Sequence, residues 1–433
     1  MLYSYLSISP EGHLTVAGHD TVALAKEFGT ALFVMNVDQL EENCRVYIDT
    51  LKECFGDRAL PLFASKSLSF TGIYSLINRF GLGTDIVSCG ELYTAEKAGF
   101  PLEKAFFHGN NKTDADICYA IDAGIGYFVV DSEDELTRLN SFAAASHKRV
   151  KILLRITPGI DPHTHKAIVT GSVDSKFGTA IETGQAFDMV KHALALSHVQ
   201  LCGFHCHIGS QIFECAPFCE SASIMLDFIA QVKNRFEYEA EMLNLGGGFA
   251  VRYVEDDPEI SIADNIREVA SHIKNKCRDL NIKVPFILME PGRSIVANTM
   301  LTLYTVGSVK EITGVRNYVS IDGGMTDNPR YALYGSRYTV ITANKAANAT
   351  TYPCTIAGRC CESGDMIQEN AMIAKPERGD IIAVLTTGAY NYSMASNYNR
   401  LPRPAILLVG KNTKKLAVRR ETFEDLCRLD LEI

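Results

Sequence analysis

Eight times between residues 61 and 298, a short apolar run gives way to a longer amphipathic stretch, and that alternation limits what this chain can become. The pattern predicts strands over 61–65, 83–87, 105–107, 127–130, 150–156, 199–204, 242–245 and 286–289. Between them it predicts helices near 71–80, 90–98, 114–123, 132–145, 182–196, 216–236 and 262–280, with an earlier helix over 38–54 that Asp38 is expected to cap. A parallel neighbour is reached only through a crossover, so strand–helix units repeated this regularly build a parallel sheet. Eight units point to an α/β chain whose sheet closes as a (β/α)8 barrel; a doubly wound open sheet is the alternative. After residue 298 the alternation stops. Runs at 301–306, 318–321, 337–341, 381–385 and 405–409 read as strands without long helices between them. The expected organisation is a barrel over 37–298 and a mostly β domain from 1–36 and 299–433, with strands at 14–16 and 31–34 joining the latter.

Composition narrows the function. The chain has 433 residues, enough for a large barrel with an appended domain. A net charge of -9 argues against nucleic acid as a partner, because phosphate binding needs a basic face. No apolar run approaches the roughly 20 residues of a membrane span, and Met1-Leu2-Tyr3-Ser4-Tyr5-Leu6 lacks the basic flank and apolar core of a secretory signal. Thirteen scattered cysteines without a Cys-x-x-Cys pair suggest reduced thiols, so a cytoplasmic enzyme is expected.

In a (β/α)8 barrel, chemistry sits at the carboxyl ends of the strands. Those ends carry Lys66, Asp85, the 108–112 segment, Arg155, the 205–210 segment, Gly246-Gly247-Gly248 and Glu290-Pro291-Gly292-Arg293. A lysine ending a buried strand either snorkels to the rim or serves as a nucleophilic amine. The triple glycine is either a tight turn or a loop of bare N–H groups that holds a phosphate. His205-Cys206-His207 puts two imidazoles on one face of a strand. They could ligate zinc given a third ligand of fitting geometry, which the sequence does not force; one could pack against a planar ring; or they could sit as core histidines. In the β domain, Cys360-Cys361-Glu362-Ser363-Gly364-Asp365 places two thiols beside two carboxylates, an odd choice for packing alone.

With these pieces the sequence resembles the pyridoxal-phosphate-dependent decarboxylases built on an alanine-racemase-like barrel, and within them the diaminopimelate decarboxylase family. The resemblance runs over nearly the whole chain. His207-Ile208-Gly209-Ser210-Gln211, Gly246-Gly247-Gly248-Phe249 and Glu290-Pro291-Gly292-Arg293 carry the superfamily. Pro329-Arg330-Tyr331-Ala332-Leu333-Tyr334-Gly335, Cys361-Glu362-Ser363-Gly364-Asp365, Asp174-Ser175-Lys176-Phe177-Gly178 and 393–399 favour the narrower family. Two positions depart from the common pattern: Ser67-Leu68 replace Ala-Asn after the lysine, and Tyr331 stands where proline is frequent.

The resemblance implies a carboxy-lyase that converts meso-2,6-diaminopimelate to L-lysine and CO₂, the last step of lysine biosynthesis, with pyridoxal 5'-phosphate as cofactor and no catalytic metal. It implies that Lys66 bonds to the cofactor aldehyde, His207 stacks on its ring, and Glu290 faces its pyridine nitrogen. Ser210, Gly248, Gly292, Arg293 and Tyr390 would lie at or near the phosphate. Arg293, Arg330, Tyr334, Glu362 and Tyr390 match substrate-binding positions, and Cys361 matches a catalytic thiol that reaches the partner subunit's site in a homodimer. A far carboxylate needs a guanidinium and a far ammonium needs an acid, which is why Arg293, Arg330 and Glu362 suit diaminopimelate. The alternatives are a decarboxylase of ornithine, lysine or arginine on the same scaffold, a metal-dependent barrel hydrolase using His205 and His207, or a relative that has lost catalysis. The polar segment 157–178 is the candidate for closing over substrate.

Overall fold

The computed structural model describes residues 3–160 and 175–433. Most of the segment expected to close over substrate, residues 161–174, lies outside the described residues, and with it Asp174 of the Asp174-to-Gly178 motif. The chain divides into two compact units. One comprises Asn43–Val251 and Ile260–Ser294; the other comprises Met1–Glu42, Arg252–Glu259 and Ile295–Ile433.

The first unit is a closed barrel of eight parallel strands: Ala59–Ala64, Gly83–Ile86, Ala105–Phe107, Tyr127–Val130, Val150–Thr157, Val199–His205, Met242–Asn244 and Phe286–Met289. Each pairs with the next in sequence, and the eighth returns to the first through Ile287 opposite Ala59. One face of the strands fills the interior with Leu62, Phe106, Val129, Leu153 and Leu288. The other face meets the helices, as where the Phe204 ring lies 5.0 Å from Phe228 on helix Ala216–Phe236. Burial on both faces is why most of these strands read as apolar runs rather than as alternating patterns. Each large side chain so buried contributes about 1.5–3 kcal/mol.

Several helix starts are fixed by side-chain caps. Ser88 accepts from Glu91 N–H and Ser132 from Glu135 N–H, both at 3.2 Å, and Thr113 with Asp116 forms a reciprocal capping box. These caps hold the loops after the strands, where the polar residues sit.

The second unit is mostly β. Its main sheet runs in the order 366–373, 352–357, 316–321, 300–312, 32–36, 405–410 and 413–418, and 381–385 pairs with both 300–312 and 340–342. Leu32–Asn36 therefore does join this sheet, between Met300–Ile312 and Ala405–Gly410. Leu6–Ile8, Leu14–Val16 and His19–Asp20 form a separate three-stranded sheet. Met300–Ile312 is long enough to serve two groups of neighbours, and its register shifts between Val306 and Ser308, at Gly307. Asn36, not Asp38, caps helix Val37–Phe55, accepting from Asp38 N–H at 3.0 Å and Gln39 N–H at 3.3 Å. Asp38 lies within the first turn, and its carboxylate accepts from Lys411 N–H at 2.7 Å. All thirteen cysteines are unbridged. Among the described residues, no helix is long and apolar enough to cross a membrane.

Candidate active site

The first barrel strand ends at Ala64, and Lys66 follows in the 3₁₀ turn Ser65–Ser67, where it is exposed. The turn is held from both sides. Ser65 N–H donates to Asp85 Oδ1 at 2.8 Å, Ser65 Oγ donates to Glu91 Oε2 at 2.6 Å, and Ser67 Oγ donates to Ala64 O at 2.7 Å. Ala64 N–H donates to Pro291 O at 3.0 Å, tying the lysine turn to the 290–293 turn. A Cβ on Gly292 would stand 2.8 Å from Ala64 Cβ and 3.1 Å from Ser67 Oγ, so the two turns meet only because residue 292 is glycine. Ser67 and Leu68, the departure from the common pattern, are both buried, and Leu68 N–H closes the turn onto Ser65 O at 3.0 Å.

Glu290 ends the eighth strand and is buried. Its Oε1 lies 2.8 Å from His108 Nε2 and accepts from Asn244 Nδ2 at 2.7 Å; its Oε2 lies 3.3 Å from His205 Nε2. Burial would raise this carboxyl, but the two imidazoles overcome that and hold it well below the usual carboxylate range. Burial pushes both histidines down, His205 to about 4, so at neutral pH they are neutral partners of an ionised carboxylate. Burial raises Asp85 well above its ordinary value, against the pull of Lys66.

His207 lies beyond the end of the sixth strand and is half-buried, with its Nδ1 accepting from Gly247 N–H at 3.3 Å. The His-x-His pair is thus split. His205 turns to Glu290 while His207 turns to the glycine loop, so the two imidazoles do not form a ligand pair; His205 instead groups with His108 and Glu290. Burial, with Lys66 and Arg155 nearby, lowers His207 well below its ordinary value, leaving a neutral ring.

The glycine loop is shaped by contact. A Cβ on Gly247 would meet Glu290 O at 2.1 Å, and Gly248 has φ +134° with Gly209 O 2.7 Å from where its Cβ would stand. Arg293 Nε donates to Ser210 Oγ at 3.1 Å. Lys66, His207, Ser210, Gly248, Glu290, Gly292 and Arg293 thus all fall at strand ends of one barrel. A covalent amine, a ring-sized imidazole, an ionised carboxylate and a hydroxyl beside bare glycine backbone form a donor set that fits pyridoxal phosphate.

From the sequence, His108 and Arg155 fall at the rim without a role, His205 only as a possible metal ligand or core histidine, and Asn244 only as part of a strand. Arg155 lies over the Phe177 ring at 4.3 Å with its Nε 3.8 Å from Asp131. The only signal for these partners was their position at strand ends.

In the β unit, Arg330 begins the short helix Arg330–Tyr334 and is buried. Its guanidinium lies 4.7 Å from the Tyr334 ring and 5.2 Å from the Tyr390 ring, and its Nε has no hydrogen-bond partner among the described residues. Tyr390 holds the left-handed conformation, φ +63°, uncommon for a tyrosine. Tyr331 OH donates to Glu369 Oε2 at 2.7 Å, a use for the hydroxyl that proline lacks. Cys361 and Glu362 are exposed on a loop anchored by Asp365, whose carboxylate accepts from Cys360 N–H at 2.7 Å and Met325 N–H at 2.6 Å. Cys361 N–H donates to Asn399 Oδ1 at 2.7 Å.

Residues 38–297 match the family described as pyridoxal-dependent decarboxylase, pyridoxal binding domain. The chain is 43% identical over 414 residues to the diaminopimelate decarboxylase of Bacillus methanolicus, covering 96% of each. It is 42% identical over 423 residues to that of Bacillus subtilis strain 168, covering 97% of this chain and 95% of the relative. A crystal structure of diaminopimelate decarboxylase from M. jannaschii in complex with L-lysine superposes with a TM-score of 0.91 at 35% identity, covering 99% of this chain and 98% of that one.

Proposed function

Because this chain belongs to the diaminopimelate decarboxylase family of the pyridoxal-dependent decarboxylases, we propose that it removes one carboxylate from meso-2,6-diaminopimelate to give CO₂ and L-lysine, completing lysine biosynthesis. The observation that carries this reading is the rim of the barrel. Lys66 and an ionised Glu290 stand on turns joined through Ala64 and Pro291, in a chain similar to these decarboxylases from end to end.

Bound pyridoxal phosphate supplies the conjugated ring that takes up the electron pair left when CO₂ departs. The chain's residues do the rest. Lys66 Nζ is the amine that would hold the cofactor, at a position the substrate amine can also take. Glu290, kept ionised by His108 and His205, presents negative charge to the ring nitrogen. His207 would pack on the ring, while Ser210, Gly248, Gly292, Arg293 and Tyr390 would hold the phosphate end. Arg330 receives the far carboxylate: it is buried, its guanidinium lies near the Tyr334 and Tyr390 rings, and its Nε has no hydrogen-bond partner among the described residues. Arg293, Tyr334 and Tyr390 add contacts to substrate, and Glu362 receives the far ammonium. Cys361 Sγ delivers a proton to the α-carbon after CO₂ leaves.

The chain works as a cytoplasmic homodimer in which the Cys361 loop serves the partner subunit, and the exposure of Cys361 and Glu362 supports this. The barrel, 37–298, binds the cofactor, and the β domain, 1–36 with 299–433, carries the substrate and dimer loops. Two measurements test the reading. Borohydride reduction followed by peptide mapping is expected to fix the cofactor on the peptide containing Lys66. Turnover of meso-diaminopimelate is expected to exceed that of ornithine by about 10⁴-fold, because a buried guanidinium would be left without its carboxylate. Preferential turnover of ornithine would overturn the substrate assignment.

A further inference from the structure

Outside the chemistry described above, two thiols and a carboxylate converge where two helices of the barrel unit meet. Cys215 immediately precedes helix Ala216–Phe236 and Cys219 lies one turn further on, so their side chains share a face. Glu268 projects from the second turn of helix Ile262–Asp279. The two Sγ atoms are 3.9 Å apart, and one ligand atom from each of the three residues falls within 4.8 Å of the others. We propose that Cys215, Cys219 and Glu268 form a binding site for one thiophilic divalent cation of the zinc class, which clips the two helices together.

The sulfur separation is the quantity that discriminates. A disulfide needs about 2.05 Å between sulfurs. Two thiolates on one tetrahedral zinc, each about 2.3 Å from the metal, stand about 3.8 Å apart. The sulfurs are therefore already spaced as ligands, not as a bridge. The thiols are half-buried and the carboxylate is exposed, so a solvent molecule can complete four-coordination. Cys215 Sγ also donates to Asn265 O at 3.6 Å, and Asn265 Nδ2 is buried with no hydrogen-bond partner among the described residues. On binding, each thiol that ligates releases its proton to solvent, and no electron is transferred. Soft thiolates select zinc-class ions over magnesium or calcium.

The test uses the holoenzyme after chelator treatment. Titration with Co²⁺ is expected to reach one equivalent per chain and to raise tetrahedral d–d absorption in the red, beyond the absorption of the bound cofactor, with Zn²⁺ displacing it. Cys215→Ser with Cys219→Ser should abolish that signal, and Glu268→Gln should weaken binding about 10-fold or more. A Cys361→Ser/Cys427→Ser variant should keep it, separating this site from the two exposed thiols. A readout on the unaltered chain guards against a variant that fails to fold: one equivalent of Zn²⁺ should protect Cys215 and Cys219 from alkylation while Cys427 labels as before. Equal labelling with and without Zn²⁺, or a cobalt spectrum that survives in the double variant, would overturn the proposal.

Discussion

Glu290 Oε1 lies 2.8 Å from His108 Nε2, with both groups buried. The contact joins the end of the eighth strand to the loop after the third, so two distant strands of the barrel settle one charge. His205 and Asn244 complete the set around the same carboxylate. Glu290→Gln keeps the shape and removes the charge. It is expected to lower kcat by about 100- to 1,000-fold, the range seen when a preorganised electrostatic group is lost. Steady-state kinetics check this, with far-ultraviolet circular dichroism confirming the fold. A kcat within threefold of the parent would mean the charge is not used.

Asp327 gives the second unit a pH-dependent stability. It is buried, its carboxylate accepts from Tyr304 OH and, at 3.2 Å, from Gly324 N–H, and burial pushes it up to about 6. An unfolded aspartate titrates near 3.9, so between these values the folded chain holds a proton the unfolded chain has lost. The stabilisation is fully present below about 4 and is lost as pH rises through 6, amounting to about 2–3 kcal/mol. Urea denaturation at pH 4.5 and 7.5 should show the parent losing stability relative to Asp327→Asn across that interval. Parallel pH profiles for the two proteins would sink this assignment.

The barrel was legible because its strands are largely buried on both faces and most of them appear as short apolar runs. Strand ends then located Lys66, Glu290 and the glycine loop. What the sequence did not reveal was pairing across the rim: nothing local to His108 or Asn244 says that both face Glu290. Three strands of the second unit's main sheet are not evident from the sequence. Tyr352–Ala357 contains Pro353, which ordinarily argues against a strand. Here Pro353 precedes the ladder to Tyr318–Ser320, where its missing N–H costs nothing, and Asn317 Nδ2 donates to its carbonyl at 2.9 Å. Met366–Ile373 and Thr413–Val418 lie at the ends of the main sheet, where polar residues face solvent and blur the alternation. Asn36 ends the apolar strand Leu32–Asn36 and also caps the helix that follows, so in the sequence its capping role is masked by the strand it terminates.

Gly247→Ala isolates the role of shape in the glycine loop. The added methyl would meet the backbone oxygen of Glu290 at 2.1 Å, and backbone cannot swing aside as a side-chain tip can. The loop must shift, at a cost of about 1–3 kcal/mol, and the N–H that Gly247 donates to His207 moves with it. The expected result is a lower melting temperature together with weaker retention of pyridoxal phosphate during dialysis. Unchanged cofactor retention would mean that the loop's exact course does not matter to binding.

The Lys112–Glu135 pair separates structural charge from catalytic charge. Lys112 Nζ lies 2.8 Å from Glu135 Oε1, and both side chains are almost wholly buried. The ammonium also donates to Gly109 O at 3.0 Å and Val129 O at 2.8 Å, and Glu135 Oε2 accepts from Asp131 N–H at 3.0 Å. Burial lowers Lys112 and raises Glu135, so each ion depends on the other to stay charged. Lys112→Met strands a buried carboxylate and is expected to cost about 3–5 kcal/mol. Lys112→Met with Glu135→Leu removes both charges and should recover most of that loss, since a well-packed apolar pair is often as stable as a buried ion pair. Denaturant titration of the parent, the single variant and the double variant measures the coupling. If the double variant is no more stable than the single one, the pair is being held for its hydrogen bonds to the loop after the third strand, and not because each charge neutralises the other.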